Sequence, residues 1–518
     1  MSTKLINAWA EGLPATYPIL AIIFLVIFYN ALIYPLFISP LRNVPGPKLA
    51  ALSSLYINIP YYKETAIVKV KSLHDRYGSV VRVGPNELVI DDPKQLSLIY
   101  GVRSTFPKPG TAVLAENHGF PNSFSSVTRE DHRNRRQQVA KVYTMNSQLN
   151  NEPLIAWIRN RVDVVKSIFD KNPTKPVDIF YLAGLFATDV VSHMVYGESL
   201  DLLGGNNLVL VDGIRHVAIA SCPTIRFAWL FTSVMTVWPL NIFYPNFVKK
   251  AFEGQVSMME INQNQINRVN AADTKPDPER TAIGCMQAQS GFGKTLTEGH
   301  IKSECLDHVL AGADTTAASM AYMFFNLALP ENREYQEKLR KEVLELSSPL
   351  DFKEVCNLPY LNICVLELLR LHAPGPGSLQ QRVTPANEKT ILESHGTKYE
   401  LPPGTMVGIQ AHSLHRNEEI FGERPDKFRP KRWETANESQ MQKMKQAWIP
   451  FGTGARLCLG MSLATMELKV LTASILREYT IETPTDAVVR GMVPIYGAVI
   501  RPQGAKCDLI FKRIASAP

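Results

Sequence analysis

One segment gathers the residues that could hold a reactive sulfur: Phe451-Gly452-Thr453-Gly454-Ala455-Arg456-Leu457-Cys458-Leu459-Gly460. Pro450, Gly452 and Gly454 predict an irregular loop in which backbone can approach closely. A helix-compatible run, Met461–Tyr479, follows at once. A cysteine at that junction meets oriented amide donors and the positive end of a helix dipole, both of which stabilise a thiolate. From these residues alone the sulfur is a nucleophile, an axial metal ligand or an inert structural cysteine. The last is the commonest role of a buried cysteine.

A second group, Ala311-Gly312-Ala313-Asp314-Thr315-Thr316, interrupts an apolar pattern that predicts a helix over Leu296–Leu329, ended by Pro330. Its 34 residues span about 50 Å at the α-helical rise. A mid-helix glycine costs about 1 kcal/mol relative to alanine. Buried polar groups are costly unless satisfied or used. The plain structural account is a kink with threonines bonded back to the helix. Glu367-Leu-Leu-Arg370 is a third candidate, but the same spacing recurs at Glu130/Arg133 and Glu337/Arg340, and a solvated i,i+3 pair is its default meaning. Gly293-Lys294-Thr295 imitates a phosphate loop, yet Ala288 stands where the first glycine is required, and no strand precedes it. Thr295 and Glu298 read instead as a capping box.

The spacing of the cysteine loop resembles F-x-x-G-x-R-x-C-x-G, the haem-ligand signature of the haem-thiolate monooxygenases, the cytochrome P450 superfamily. All five fixed positions match. The resemblance implies haem b as cofactor, with Cys458 as the proximal iron ligand, Phe451 beside it and Arg456 paired with a propionate. A thiolate pushes electron density to the iron and favours O–O cleavage. It further implies that Gly312 thins the long helix against the haem, that Thr315 hydrogen-bonds the bound dioxygen, and that Asp314 helps deliver protons. Glu367 and Arg370, with Arg432 from Phe428-Arg-Pro-Lys-Arg-Trp433, match the family's buried Glu–Arg–Arg arrangement, a structural role. His132-Arg133-Asn134-Arg135-Arg136 takes the place of W-x-x-x-R: Arg136 matches a propionate arginine, and His132 replaces the tryptophan. Arg382 is a further propionate partner.

The same resemblance runs from Pro45 to about Arg513 and implies the family fold: a mainly α (α+β) body with two small β-sheets. By position, the substrate pocket is lined by Phe106–Phe124, Val309–Thr315, Gly377–Gln380 and Ile495–Tyr496. These stretches are mostly apolar or small, which favours a small lipophilic substrate. The expected reaction is monooxygenation, with electrons from NADPH through a separate cytochrome P450 reductase, or additionally cytochrome b5. The wording around RVGPNEL and DHRNRR is similar to fungal members, many of which serve secondary metabolism. Two other readings stand beside this one: a haem-thiolate isomerase or dehydratase that needs no dioxygen, and a non-catalytic membrane haem or ligand binder.

These residues need a large scaffold. At 518 residues and 45% hydrophobic, the chain excludes wholesale disorder. Length alone suggests roughly three domains. No internal repeat and no long polar linker divides the chain beyond residue 48, so one helical unit, 49–518, is expected. Gly78–Asp92 predicts a β-hairpin, residues 129–345 are mostly helical, and 398–413 and 488–513 return to short strands. The seven cysteines include no C-x-x-C, which excludes a zinc site of that type and a disulfide scaffold. A net charge of +7 suits a basic docking face for an acidic reductase and not a nucleic-acid binder.

The charge is absent at the start: 30 residues from Gly12 to Leu41 carry no Asp, Glu, Lys or Arg. Tyr17–Ile38 is long enough to cross a bilayer as a helix. A signal peptide usually has a shorter apolar core. Arg42 and Lys48 after the span, against Lys4 and Glu11 before it, place the body on the cytosolic side. The expected order is a luminal segment 1–16, a single-pass anchor 17–38 in the endoplasmic reticulum membrane, and a Pro/Gly hinge 39–48 before the body.

Overall fold

The apolar segment folds as a helix standing apart from the body. The computed structural model describes residues 16–231, 244–289, 296–347, 351–377 and 381–514. Helix α1, Thr16–Phe28, continues as a wider π-type helix over Tyr29–Ile38, around Pro35, whose missing N–H breaks an α ladder. Ile19–Ile38 has a mean hydropathy of 2.4 and its side chains are almost all exposed, a composition and length shared by membrane anchors and signal sequences. Residues 1–15 of the segment expected on the luminal side lie outside the described residues, as do Gly293–Thr295 and Ser378–Gln380.

Residues 39–48, expected as a stiff Pro/Gly hinge, are tied to the body. Arg82 is buried and donates from Nη1 to Pro35 O (2.9 Å) and Leu41 O (3.3 Å), and from Nη2 to Pro85 O (2.7 Å). Its backbone N–H bonds Pro45 O at 2.7 Å, while Leu41 and Val44 join a buried apolar cluster of the body. The sequence reading saw only prolines and a glycine. The tertiary partner that pins them lies 40 residues on. Arg82→Ala strands these carbonyls and should speed tryptic cleavage at Arg42 and Lys48 in detergent-held protein by about tenfold, the loss of one to two buried hydrogen bonds. Unchanged cleavage would show the hinge to be held by its apolar contacts alone.

Four strands and six helices position the site. The hairpin β1 (Val80–Gly84) and β2 (Glu87–Ile90) turns at Pro85–Asn86 and extends through β4 (Met406–Ile409) to β3 (Arg382–Val383), in the order β1-β2-β4-β3. Around this four-stranded sheet the described residues add four two-stranded pairs, where two sheets were expected. Among the helices, α2 is Arg129–Val139, α3 Ile179–Tyr196, α4 Val209–Arg226, α5 Glu298–Ala328, α6 Pro359–Leu371 and α7 Met461–Glu478. At 31 residues α5 extends about 46 Å and packs along α3 and across α7. From Thr316 to Ala328 it is buried on every face, which explains why its sequence lacks a polar stripe. Helix α3 is apolar enough to cross a membrane, but 89% of it is buried, so it is core. Its first N–H groups are capped by Asp178, and Gly197 at φ 82 ends it. Trp448 packs against both large apolar clusters, joining the sheet side to the helical side.

Candidate haem-thiolate site

Cys458 sits where the loop meets α7. Its own N–H bonds Phe451 O at 2.9 Å, folding the loop back on itself. The N–H groups of Gly460 and Met461 donate to the sulfur, and Arg136 stands near it. Burial nevertheless outweighs these donors and raises the thiol above its ordinary value. The helix terminus stabilises the thiolate but does not outweigh burial, so the sulfur is deprotonated with a cation in place of its proton. Cys458 is enclosed by the body yet solvent-exposed, so it opens on an interior cleft. The loop reaches this shape because Gly454, at φ +69, lies against strand-side backbone: a Cβ there would stand 1.8 Å from Tyr100 O.

Four cations gather beside the loop. Arg456 donates to the carbonyls of Ser126 (2.8 Å), Val127 (2.9 Å) and Thr128 (2.9 Å), tying the loop to the start of α2. Arg136 donates to Leu457 O at 2.6 Å, and Arg382 to Gln381 O at 2.8 Å while lying over the Tyr100 ring. Lys108, which the sequence reading overlooked, is buried, and burial with the charges of Arg456 and Arg382 lowers it to about 7. Burial, then Arg456, Arg136, Lys108 and Arg382, push His132 down to about 3, so its imidazole is neutral. Among the described residues none of the four cations forms an ion pair with a carboxylate. Lys108 and Arg382 are buried and Arg136 and Arg456 half-buried, and a cluster of this kind is a site for an anion.

On α5, Ala311 is exposed in the middle of a buried helix, and Thr315, one turn on, is partly so. Thr315 Oγ1 donates to Ala311 O at 2.7 Å, and Ser319 Oγ to Thr315 O at 2.9 Å, the back-bonding that the plain structural account anticipates. Gly312 lies against α3. Its missing Cβ faces Val191 Cγ2, which would lie 2.7 Å away, so the glycine makes room for α3, and Ala311 is the residue turned to the cleft. Burial pushes Asp314 up to about 6, against the charges of Arg215 on α4 and Arg501. Neither arginine was visible as a partner in the sequence, since they lie 99 and 187 residues away.

Beneath the loop, Glu367 and Arg370 meet on α6. Arg370 donates from Nε and Nη2 to the two Glu367 oxygens, each at 2.8 Å, and Arg432 Nε adds a bond of 3.0 Å. Trp433 Nε1 donates to the same carboxylate at 2.9 Å. All these groups are buried. His415 carries the arrangement to the loop: its Nδ1–H bonds Arg370 O and its Nε2 accepts from Ile449 N, both at 2.9 Å.

A family model, Cytochrome P450, matches residues 45–507. The chain belongs to the cytochrome P450 family. It is 29% identical to the cytochrome P450 monooxygenase orf2 of Aspergillus niger, over 90% of this chain and 92% of that protein. It is 30% identical to the cytochrome P450 monooxygenase esdpH of Penicillium shearii, over 85% and 88%. It also matches mpaDE' of Penicillium brevicompactum at 28% identity, spanning about half (52%) of that longer protein. P450 proteins are oxidoreductases that bind haem b through a cysteine thiolate and use a redox partner. The residues of this chain fit that group: one cleft-facing sulfur with two amide donors, and a cluster of buried and half-buried cations without carboxylate partners, suited to two propionates.

Proposed function

We propose that this P450 is a membrane-anchored monooxygenase that inserts one atom of dioxygen into a small lipophilic substrate, with electrons from NADPH delivered by a separate reductase. The observation that carries the proposal is the Cys458 environment, a sulfur at a helix N-terminus opening on an interior cleft. Cys458 would ligate the iron; Arg456, Arg136, Arg382 and Lys108 would hold the propionates, with neutral His132 and Phe451 lining the same site. Ala311 and Thr315 form the opposite wall. When bound, haem b supplies the reductive activation of dioxygen, and overall R–H, O2, NADPH and H+ yield R–OH, water and NADP+. The chain's own part is to exclude water, orient the substrate against the Ala311–Thr315 face, and move protons.

Thr315 Oγ1 holds a proton that can turn from Ala311 O toward the cleft. Asp314, titrating at about 6, takes up protons on the Arg215 and Arg501 side and passes them to that hydroxyl. Its folded value lies above the ordinary 3.8, so the protonated form gains population as pH falls through 6. Asp314→Asn is therefore expected to cut turnover by about 10²-fold and to abolish the change in rate near pH 6. A variant that keeps this limb would assign it to another group.

The exposed arginines Arg129 and Arg133 on α2 form the face on which an acidic reductase, or cytochrome b5, docks. Helix α1 would hold the body on the cytosolic side of the endoplasmic reticulum membrane, beside lipophilic substrates. Similarity to fungal monooxygenases supports a place in secondary metabolism. The test is untargeted comparison of extracts with and without the protein under 18O2: one labelled oxygen per product, dependent on NADPH and reductase, is the expected result. Products formed without NADPH would replace this reading with an isomerase or dehydratase.

A further inference from the structure

Two turns before the Ala311–Thr315 face, α5 carries a row of buried polar groups that the reaction does not use. At its start Gly299 leaves a notch filled by the Phe120 ring; a Cβ there would stand 2.2 Å from Phe120 Cε2. Ser303 Oγ donates to Phe120 O at 2.6 Å and accepts from Asn117 N and Asn122 Nδ2, both at 3.3 Å. The Glu304 carboxylate accepts from Ser123 N at 2.9 Å and from Ser123 Oγ. Phe124 N–H donates to Asp307, and Lys108 Nζ to Phe124 O. Behind these, His308 Nε2 lies 3.3 Å from Glu304 Oε1, and its Nδ1 is 2.9 Å from Tyr143 Oη.

Residues 304, 308, 311 and 315 share one helix face, with Glu304 about 10 Å from Ala311 along the axis. Glu304 is 2% exposed, and the loop supplies both of its neutral donors. A buried carboxylate stripped of donors is costly, so the loop conformation and the carboxylate hold each other in place.

We propose that Glu304 is a positioning residue whose carboxylate latches the segment 117–126 onto α5 and thereby sets which lipophilic substrates fit above Ala311 and Thr315. This rests on the reading of that loop as a wall of the substrate pocket. A metal is the competing occupant, since ligand atoms of Glu304, Asp307 and His308 lie within 4.8 Å of one another. Ser123, Phe124 and Tyr143 already use their outward positions, and His308 supplies the positive charge beside Glu304.

The test uses the full-length holoprotein in nanodiscs, by hydrogen exchange and by Soret titration with imidazole and with 4-phenylimidazole. In Glu304→Ala, amides of 117–126 should exchange about tenfold faster, the loss of hydrogen bonds to a charged acceptor, with 316–328 unchanged. The Kd for 4-phenylimidazole should weaken by about tenfold while that for imidazole stays within about twofold, because only the aryl group reaches the loop. Glu304→Gln keeps one acceptor for Ser123 N and should restore both measurements to within about threefold. If Glu304→Ala loads no haem, Gly299→Ala, which evicts Phe120 from its notch, should give the same pair of shifts. Unchanged exchange at 117–126 would overturn the latch. Faster exchange with unchanged 4-phenylimidazole affinity would instead overturn the pocket reading. A divalent ion retained stoichiometrically by the wild type and lost in Glu304→Gln would replace the latch with a metal site.

Discussion

Cys458→Ala should abolish the thiolate-type Soret shift of the ferrous CO complex and lower turnover by roughly 10³-fold or more, as when one member of a catalytic unit is removed. The argument is electrostatic. Gly460 and Met461 aim two N–H groups at the sulfur, and Arg136 adds a positive charge, yet burial still holds the thiol above its usual value. A sulfur in that position carries negative charge only with a metal cation beside it, and its electron donation is what the alanine variant loses. The cations around His132 stay in place, so the variant should still bind haem, weakly and with a shifted CO spectrum. Cys458→Ser preserves the amide geometry and should also lose the thiolate band, since a hydroxyl is a far weaker donor. Retention of that band in either variant would remove Cys458 from the iron.

Glu367→Gln should yield almost no haem-loaded protein. Its carboxylate accepts from Arg370 twice, Arg432, Trp433 and the backbone of Arg429, all in the interior. Glutamine leaves two buried guanidinium groups without a counter-charge, at a cost of about 3–5 kcal/mol. Whole domains are stable by only about 5–15 kcal/mol. The damage should centre on the cysteine loop, because His415 spans from Arg370 O to Ile449 N, two residues before Phe451. That imidazole is neutral, lowered to about 3 by burial and by Arg370, so it can donate at one nitrogen and accept at the other. Glu337→Gln is the control: its Arg333 partner is 3.1 Å away but both side chains are at least half exposed, and the change should shift stability by less than about 1 kcal/mol. Thermal melts and CO spectra per unit protein separate the two. Equal haem loading in both variants would refute the structural role of Glu367.

Glu367–Arg370 and Glu337–Arg340 carry the same spacing, and nothing local distinguishes them. Glu367 and Arg370 meet in the core, whereas Glu337 is exposed and pairs with Arg333 instead. What separated them in the sequence was Arg432-Trp433 downstream, a match to a family pattern, and both residues do reach the carboxylate. The corrections have a common cause. The family motif implies that Gly312 faces the haem, but the face of a helix that a glycine relieves depends on the neighbouring helix, here through Val191. Residues 39–48 looked like a separator because prolines and glycine are locally stiff, while Arg82, their clamp, is an ordinary strand residue. Lys108 escaped notice for a similar reason: a lysine in a loop is solvated by default.

By itself, the sequence determined the elements with a strong local signal: the apolar run of α1, the hairpin of β1 and β2, the long α5, and the cysteine at the head of α7. Periodicity, turn residues and side-chain type act over a few residues, so they can be read without a fold. Only the tertiary structure decided the partners: Ser123 for Glu304, Arg215 and Arg501 for Asp314, Val191 for Gly312, and the carbonyls on which Arg82 and Arg456 close. Burial and charge act through space and not along the chain. They set the Cys458 thiol high, Asp314 near 6 and His132 neutral, and none of those values is written in the neighbours of the residue concerned.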